Sequence, residues 1–124
     1  MHLRLDAVVL EQVQAHGGAG EIGFHRLLDA AAFASDCHFV DYAVLPPGAS
    51  IGIHTHGADE EIYLVLEGHG VMHVDGHEVP VGPGSVVTNR AGGTHGLRND
   101  GEGALRLFVV EIGVRAPARQ ERGG

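Results

Sequence analysis

Two histidines two residues apart, a glutamate a few positions later and a third histidine far downstream are the residues of this chain best suited to chemistry. They are His54, His56, Glu61 and His95. If residues 51–56 form a strand, side chains two apart leave the same face, so His54 and His56 point the same way. Neutral imidazoles and a carboxylate together suit one first-row divalent ion such as iron, manganese, nickel, copper or zinc. Three imidazoles and one carboxylate leave one or two coordination positions open. An open position marks catalysis or ligand binding more than a structural role. Glu60 competes with Glu61 for the carboxylate place, and adjacent strand residues face opposite ways, so only one of them can join the histidines.

Strands must position these groups. Short β-branched and aromatic runs, among them 22–28, 39–45, 51–56, 61–67, 70–75, 85–89 and 105–112, alternate with glycine, proline and asparagine turn signals. Roughly eight such strands predict an all-β sandwich or barrel. Residues 29–33 are alanine-rich and read as a short helical turn. Gly68-His69 reads as a two-residue hairpin turn, and Asp75-Gly76 as a second. Pairing 67 with 70 sets 65 opposite 72 and 63 opposite 74. Glu61, Tyr63, Val65, Met72 and Val74 then share an inner face. A carboxylate buried there is costly unless paired or bound to a cation. The histidines are its natural company, and this register favours Glu61 over Glu60.

Size and composition narrow the field. A chain of 124 residues is one domain with room for a proper core. The expected division is an N-terminal extension over 1–20, a barrel over 21–114 and a tail or linker over 115–124. The single cysteine, Cys37, excludes an internal disulfide, and a cytoplasmic setting is expected. No apolar run approaches the roughly 18 residues of a membrane span, and residues 1–11 lack a signal-peptide core. The net charge of -8, from 8 basic and 16 acidic residues, argues against a nucleic-acid surface. Twenty glycines fit many short strands joined by tight turns. An exposed sheet edge invites pairing, so a homodimer is expected, with residues 22–28 as the segment that adds to a partner's sheet.

The spacing resembles the two motifs of the cupin superfamily. Gly48, His54, His56, Glu61 and Gly68 fit the first, with four residues between His56 and Glu61. Gly84, Gly92, His95 and Asn99 fit the second, with Arg90 standing where the family has proline. The resemblance implies a single-domain cupin, a double-stranded β-helix or jelly-roll barrel, holding one divalent metal (Zn, Fe, Mn or Ni) through His54, His56, Glu61 and His95. It does not select a reaction, because function lives in the site and not in the fold.

Two further residues are read as catalytic candidates. Tyr63 points inward beside Glu61, where its hydroxyl could donate to a bound substrate. Arg90 could place a cation at the cavity mouth, and arginine pairs in bidentate fashion with carboxylate or phosphate. Against these stand a plain core tyrosine and a solvated loop arginine. Tyr42, Asn89, Thr94 and Arg98 are possible lining groups, and Asn99 is expected to brace its loop. His2, His16, His25, His38, His69, His73 and His77 have no partner by spacing and read as surface residues. The leading expectation is a metal-dependent enzyme acting on a small polar chelating substrate by Lewis-acid chemistry: isomerisation, rearrangement or lyase reaction. It includes a nitrogen–nitrogen bond-forming rearrangement if the tail once joined a synthetase-like domain. The alternatives are an iron-dependent dioxygenase, a non-catalytic binding cupin and a storage or structural barrel.

Overall fold

Alternating apolar and polar side chains build the molecule from strands. The computed structural model describes residues 1–115. Ten strands lie among them: β1 (Glu11–Val13), β2 (Ile22–Asp29), β3 (Cys37–Leu45), β4 (Ser50–Thr55), β5 (Asp59–Glu67), β6 (Gly70–Val74), β7 (His77–Val81), β8 (Val86–Asn89), β9 (Thr94–Arg98) and β10 (Leu105–Gly113). One sheet has the order β1-β2-β3-β10-β5-β8 and the other β4-β9-β6-β7, and every paired strand is antiparallel. The sheets close over a core that includes Leu45, Val65, Met72, Leu97, Leu105 and Leu107. Each such side chain, fully buried, stabilises the fold by about 1.5–3 kcal/mol relative to leaving it exposed. This is the expected all-β jelly roll. The alanine-rich turn also forms, as a single 3-10 turn over Ala30–Ala32 capped by Asp29, whose Oδ1 accepts from the Ala31 amide at 3.0 Å.

Three expectations change. First, Gly68-His69 is not a hairpin turn, since β5 and β6 lie in different sheets. Gly68 has φ +88° and lies against the Ala104 carbonyl, a position with no space for a side chain, and there the chain crosses from one sheet to the other. The inner-face set survives this error. Strand alternation alone fixes which side chains face the core, and both sheets face the same core. Glu61, Tyr63, Val65 and Met72 are all buried. The Asp75-Gly76 hairpin does form, with Val74 opposite His77 and φ positive at both turn residues.

Second, the N-terminal segment is part of the barrel. β1 pairs with β2, and Ala15 bridges Ile51 of β4 in parallel. Gly17-Gly18-Ala19-Gly20, read as a flexible break, is a tight turn sewn to β4: the Ala15 carbonyl accepts from Gly18 and Gly52 at 2.9 Å each, and the Ala19 carbonyl from Ser50 at 3.0 Å. Third, β2 is only partly a free edge. β1 covers it over Ile22–Phe24, and the rest of the strand stays open on that side. Of the tail or linker, residues 116–124 lie outside the described residues.

Candidate metal centre

β4 carries His54 and β9 carries His95, paired directly across the sheet, while His56 follows β4 by one residue. β5 brings Glu61 from the opposite sheet. The four side chains converge, each offering one ligand atom, and Glu60 stands outside the group. His95 Nε2 lies 3.1 Å from His54 Nε2, 3.1 Å from His56 Nε2 and 3.0 Å from Glu61 Oε1. His56 Nε2 lies 3.1 Å from the same carboxylate oxygen.

Hydrogen bonds behind the histidines decide what these atoms present. His54 Nδ1–H donates to the Gly52 carbonyl at 2.7 Å, an oxygen that can only accept. His56 Nδ1–H donates to the Asp59 carboxylate at 3.0 Å. Each imidazole therefore turns the lone pair of Nε2 inward, the arrangement that orients metal-binding histidines. Burial lowers the pKa of His54 to about 4, so its ring is neutral near pH 7. Burial opposes ionisation of Glu61, yet its imidazole neighbours, His95 first and then His56, hold its pKa below the ordinary value.

Lone pairs thus crowd one point, and the buried Glu61 Oε1 has no hydrogen-bond partner of good geometry among the described residues. Such an orphan is expensive without a cation. A divalent ion fits this vacancy of partners. Ligand atoms about 2.1 Å from one ion and at right angles to each other stand about 3.0 Å apart, against about 3.4 Å at the tetrahedral angle. The separations of 3.0–3.1 Å among these atoms are short enough for one ion to be held by all four residues.

A cavity of about 160 Å³ adjoins the cluster, lined among others by His16, Arg26, Phe39, Asp41, Glu61 and Tyr63. Tyr63 is buried with its ring 4.8 Å from that of His95. Burial and then the Glu61 charge push its pKa well up, so the phenol keeps its proton as a donor. Arg90 is exposed just beyond β8 and borders a second hollow, lined among others by Glu60, Glu61, Ile62 and Thr88. It has the opposite strand parity to Asn89, which is buried opposite Glu61, and it is not part of the cavity lining. Tyr42 turns outward and accepts from Arg106 at 2.8 Å. Arg98 pairs with Glu78 at 2.6 Å in a hollow on the outer side of the other sheet. Asn99 braces its loop as expected, donating to the Leu45 and Gly103 carbonyls at 2.8 Å each.

Sequence reasoning missed three groups. His16 has a partner after all: its ring stacks on His54 with centroids 3.6 Å apart and planes 10° apart. No spacing rule links residue 16 to 54, although the glycines that follow His16 marked the tight turn that delivers it. His38 also has partners. A bulge leaves it unpaired between Cys37 and Phe39, and its Nδ1–H donates to Glu111 at 2.9 Å. Glu111 lies 3.8 Å from His56 and shares with Asp59 and His38 a second group of ligand-competent atoms. Arg26 and Asp41, the third omission, meet across β2 and β3 inside the cavity wall.

Comparison with known proteins agrees with this fold. The family model for the Cupin domain matches residues 41–111. An "Oxalate-binding protein" of Thermotoga maritima is 34% identical over 113 residues, spanning 90% of this chain and 93% of that protein. The dimethylsulfoniopropionate lyase DddW of Ruegeria pomeroyi is 31% identical over 103 residues, 74% of this chain and 67% of the lyase. A crystal structure described as a predicted oxalate decarboxylase from Thermotoga maritima superposes with a TM-score of 0.89 at 33% identity, covering 92% of this chain and 100% of that one.

Proposed function

The chain belongs to the cupin family, and from that premise we propose a metal-dependent cupin that binds a small carboxylate at His54, His56, Glu61 and His95 and acts on it as a lyase. The observation that carries the reading is the convergence of three imidazole nitrogens and an orphaned carboxylate oxygen beside a cavity of about 160 Å³. Among the Lewis-acid chemistries considered, the lyase option is supported by relatives named for oxalate binding and for a lyase reaction. When bound, a divalent ion would supply positive charge to hold and polarise the carboxylate. The protein's own groups then do the rest. His54 and His56 are locked by the Gly52 carbonyl and Asp59, and Tyr63 offers a phenolic proton donor on the cavity wall. For hydrogen oxalate the reaction would break the carbon–carbon bond, releasing carbon dioxide, with the proton ending on the carbon of formate. The protein is proposed to work as a homodimer in the cytoplasm.

A second reading is a binding protein that holds the carboxylate without turnover. It is favoured by the name of the Thermotoga relative that spans 90% of this chain. One experiment addresses the metal and separates the two. Protein purified without an affinity tag is assayed for metal by elemental mass spectrometry and for carbon dioxide release from oxalate. His56→Ala and His73→Ala are run beside it. We expect about one ion per chain, lost with activity in His56→Ala and kept in His73→Ala, whose side chain faces the outer hollow. Bound metal and oxalate without carbon dioxide would select the binding reading. Absence of stoichiometric metal after reconstitution would defeat both.

A further inference from the structure

We propose that Arg26 forms a carboxylate subsite in the metal-site cavity, so that the natural ligand is a small diacid read at one end by the metal centre and at its outer oxygens by the guanidinium. The inference rests on the carboxylate reading above and adds what selects the ligand.

Arg26 lies on β2 opposite Asp41 of β3, and both line the cavity shared with Glu61 and Tyr63. Its Nε donates to Asp41 Oδ1 at 2.9 Å and its Nη2 to Oδ2 at 3.1 Å. This fork uses one edge of the guanidinium and leaves Nη1 without a hydrogen bond among the described residues. The Phe39 ring lies beneath the guanidinium carbon at 4.0 Å from its centroid, and Phe24 stands at 5.6 Å. The side chain is thus held by a bidentate pair and an aromatic face, while 46% of its surface stays open. An arginine fixed in this way loses little further freedom when it takes a ligand.

Asp41 explains the arrangement. Its side chain is only 8% exposed, and a buried carboxylate is costly unless paired. An ion pair sunk into the wall of a ligand cavity needs a reason beyond stability, since apolar side chains would serve the fold as well. Without Arg26 the lining would present Glu61 and Asp41, two carboxylates, to an incoming anion. Among the lining residues Arg26 is the cation independent of pH. Arg98 and Arg106, by contrast, spend their charge outside the barrel on Glu78 and Glu67. The cavity of about 160 Å³ also has room for a small ligand. Cavities of about 150 Å³ admit a molecule the size of benzene, roughly six heavy atoms. Oxalate has that number, and a diacid places oxygens both at the metal and away from it.

The test uses metal-loaded full-length protein, with oxalate and acetate as probes in calorimetric titrations. Arg26→Gln should weaken oxalate binding by about 10- to 150-fold, the loss of one charge-assisted hydrogen bond. Its acetate binding should stay within about threefold, and its metal content should be unchanged. Arg26→Gln/Asp41→Asn, which removes the stranded carboxylate as well, should fold and show the same selective loss. Oxalate binding by Arg26→Gln equal to the parent would overturn the subsite and leave the carboxylate reading intact. Equal losses for oxalate and acetate, or loss of metal or fold in both variants, would also overturn it by making Arg26 a structural residue. Failure of the parent protein to bind either probe would remove the carboxylate reading, and the subsite with it.

Discussion

His54 shows how one residue couples the site to pH. Burial lowers its pKa from an ordinary 6.5 to about 4. Between those values the unfolded chain holds a proton that the folded chain does not. The resulting stabilisation is complete above about pH 6.5 and is lost as pH falls toward 4. Metal binding needs the same neutral ring, so bound metal should leave as pH falls to about 4 and below, where the folded protein's ring takes its proton. Dialysis at stepped pH with elemental analysis checks this, and full metal retention well below pH 4 would contradict it. Glu111 acts the other way in the metal-free protein. Burial raises its pKa to about 7, so its contribution is present at low pH and is lost as pH rises through 7. Melting of metal-free Glu111→Gln should therefore lose this opposing contribution, so its midpoint should fall more steeply than the parent's between pH 6.5 and 4. The convergence of His54, His56, Glu61 and His95 was legible in the sequence, because few residue types bind a divalent ion and strand parity fixes which of them meet. His16, Arg26 and Asp41 were not. Their places depend on segments brought together from distant parts of the chain, and no local spacing encodes that. Arg90 drew interest as a departure from the family pattern; it borders the hollow on the β8 side of Glu61 and is not among the residues lining the cavity with Tyr63.

At the scale of elements, the segment joining β1 to β2 turns a barrel with a metal group into a roofed site. Its closeness to β4 depends on glycine. A side chain at Gly52 would run into the carbonyl of His16 and lie 2.9 Å from the Gly18 amide nitrogen, so the two backbones touch with nothing between them. Gly52→Ala should push the segment off β4, breaking the Ala15 hydrogen bonds and the stack of His16 on His54. Overpacking of this kind costs about 1–3 kcal/mol. We expect that loss in denaturant melts, together with faster amide exchange at Gly18 and Gly52. A variant with parental stability and exchange would mean that the segment is not anchored there. The same segment marks the limit of sequence reading for elements. Strands β3 to β10 were recognisable from their alternation, most to within a residue or two. β1 was not, since Glu11–Val13 is three residues long and its order comes from pairing with β2. The Gly68-His69 misreading has a similar cause. A glycine with positive φ between two strands looks the same in sequence whether the chain returns within one sheet or crosses to the other.

For the whole molecule, the outer face of the six-stranded sheet carries two apolar rungs. Val40, Val110 and Ile62 lie side by side across β3, β10 and β5. Tyr42, Phe108 and Leu64 form the next rung, continued by Val86 of β8. Val40 and Tyr42 are buried at the β3 end, Phe108, Val110, Ile62 and Leu64 are half-buried, and Leu66 and Val86 are exposed at 38% and 63%. A contiguous apolar patch of this sort marks an association surface. A two-fold dimer buries such a patch against its own copy. This face replaces the β2 edge as the expected contact, because β1 already occupies the start of that edge. Its side chains have the opposite strand parity to Asp41, Glu61 and Tyr63, which line the cavity beside the metal-competent group. Sedimentation velocity at micromolar concentration should therefore give a dimer. Leu64→Glu, which sets a charge in the middle of the patch, should shift it to monomer while metal content stays the same. A monomeric parent protein would remove the dimer from the reading. A dimer unaffected by Leu64→Glu would place the contact on another surface, the remaining open length of β2 being the first to examine.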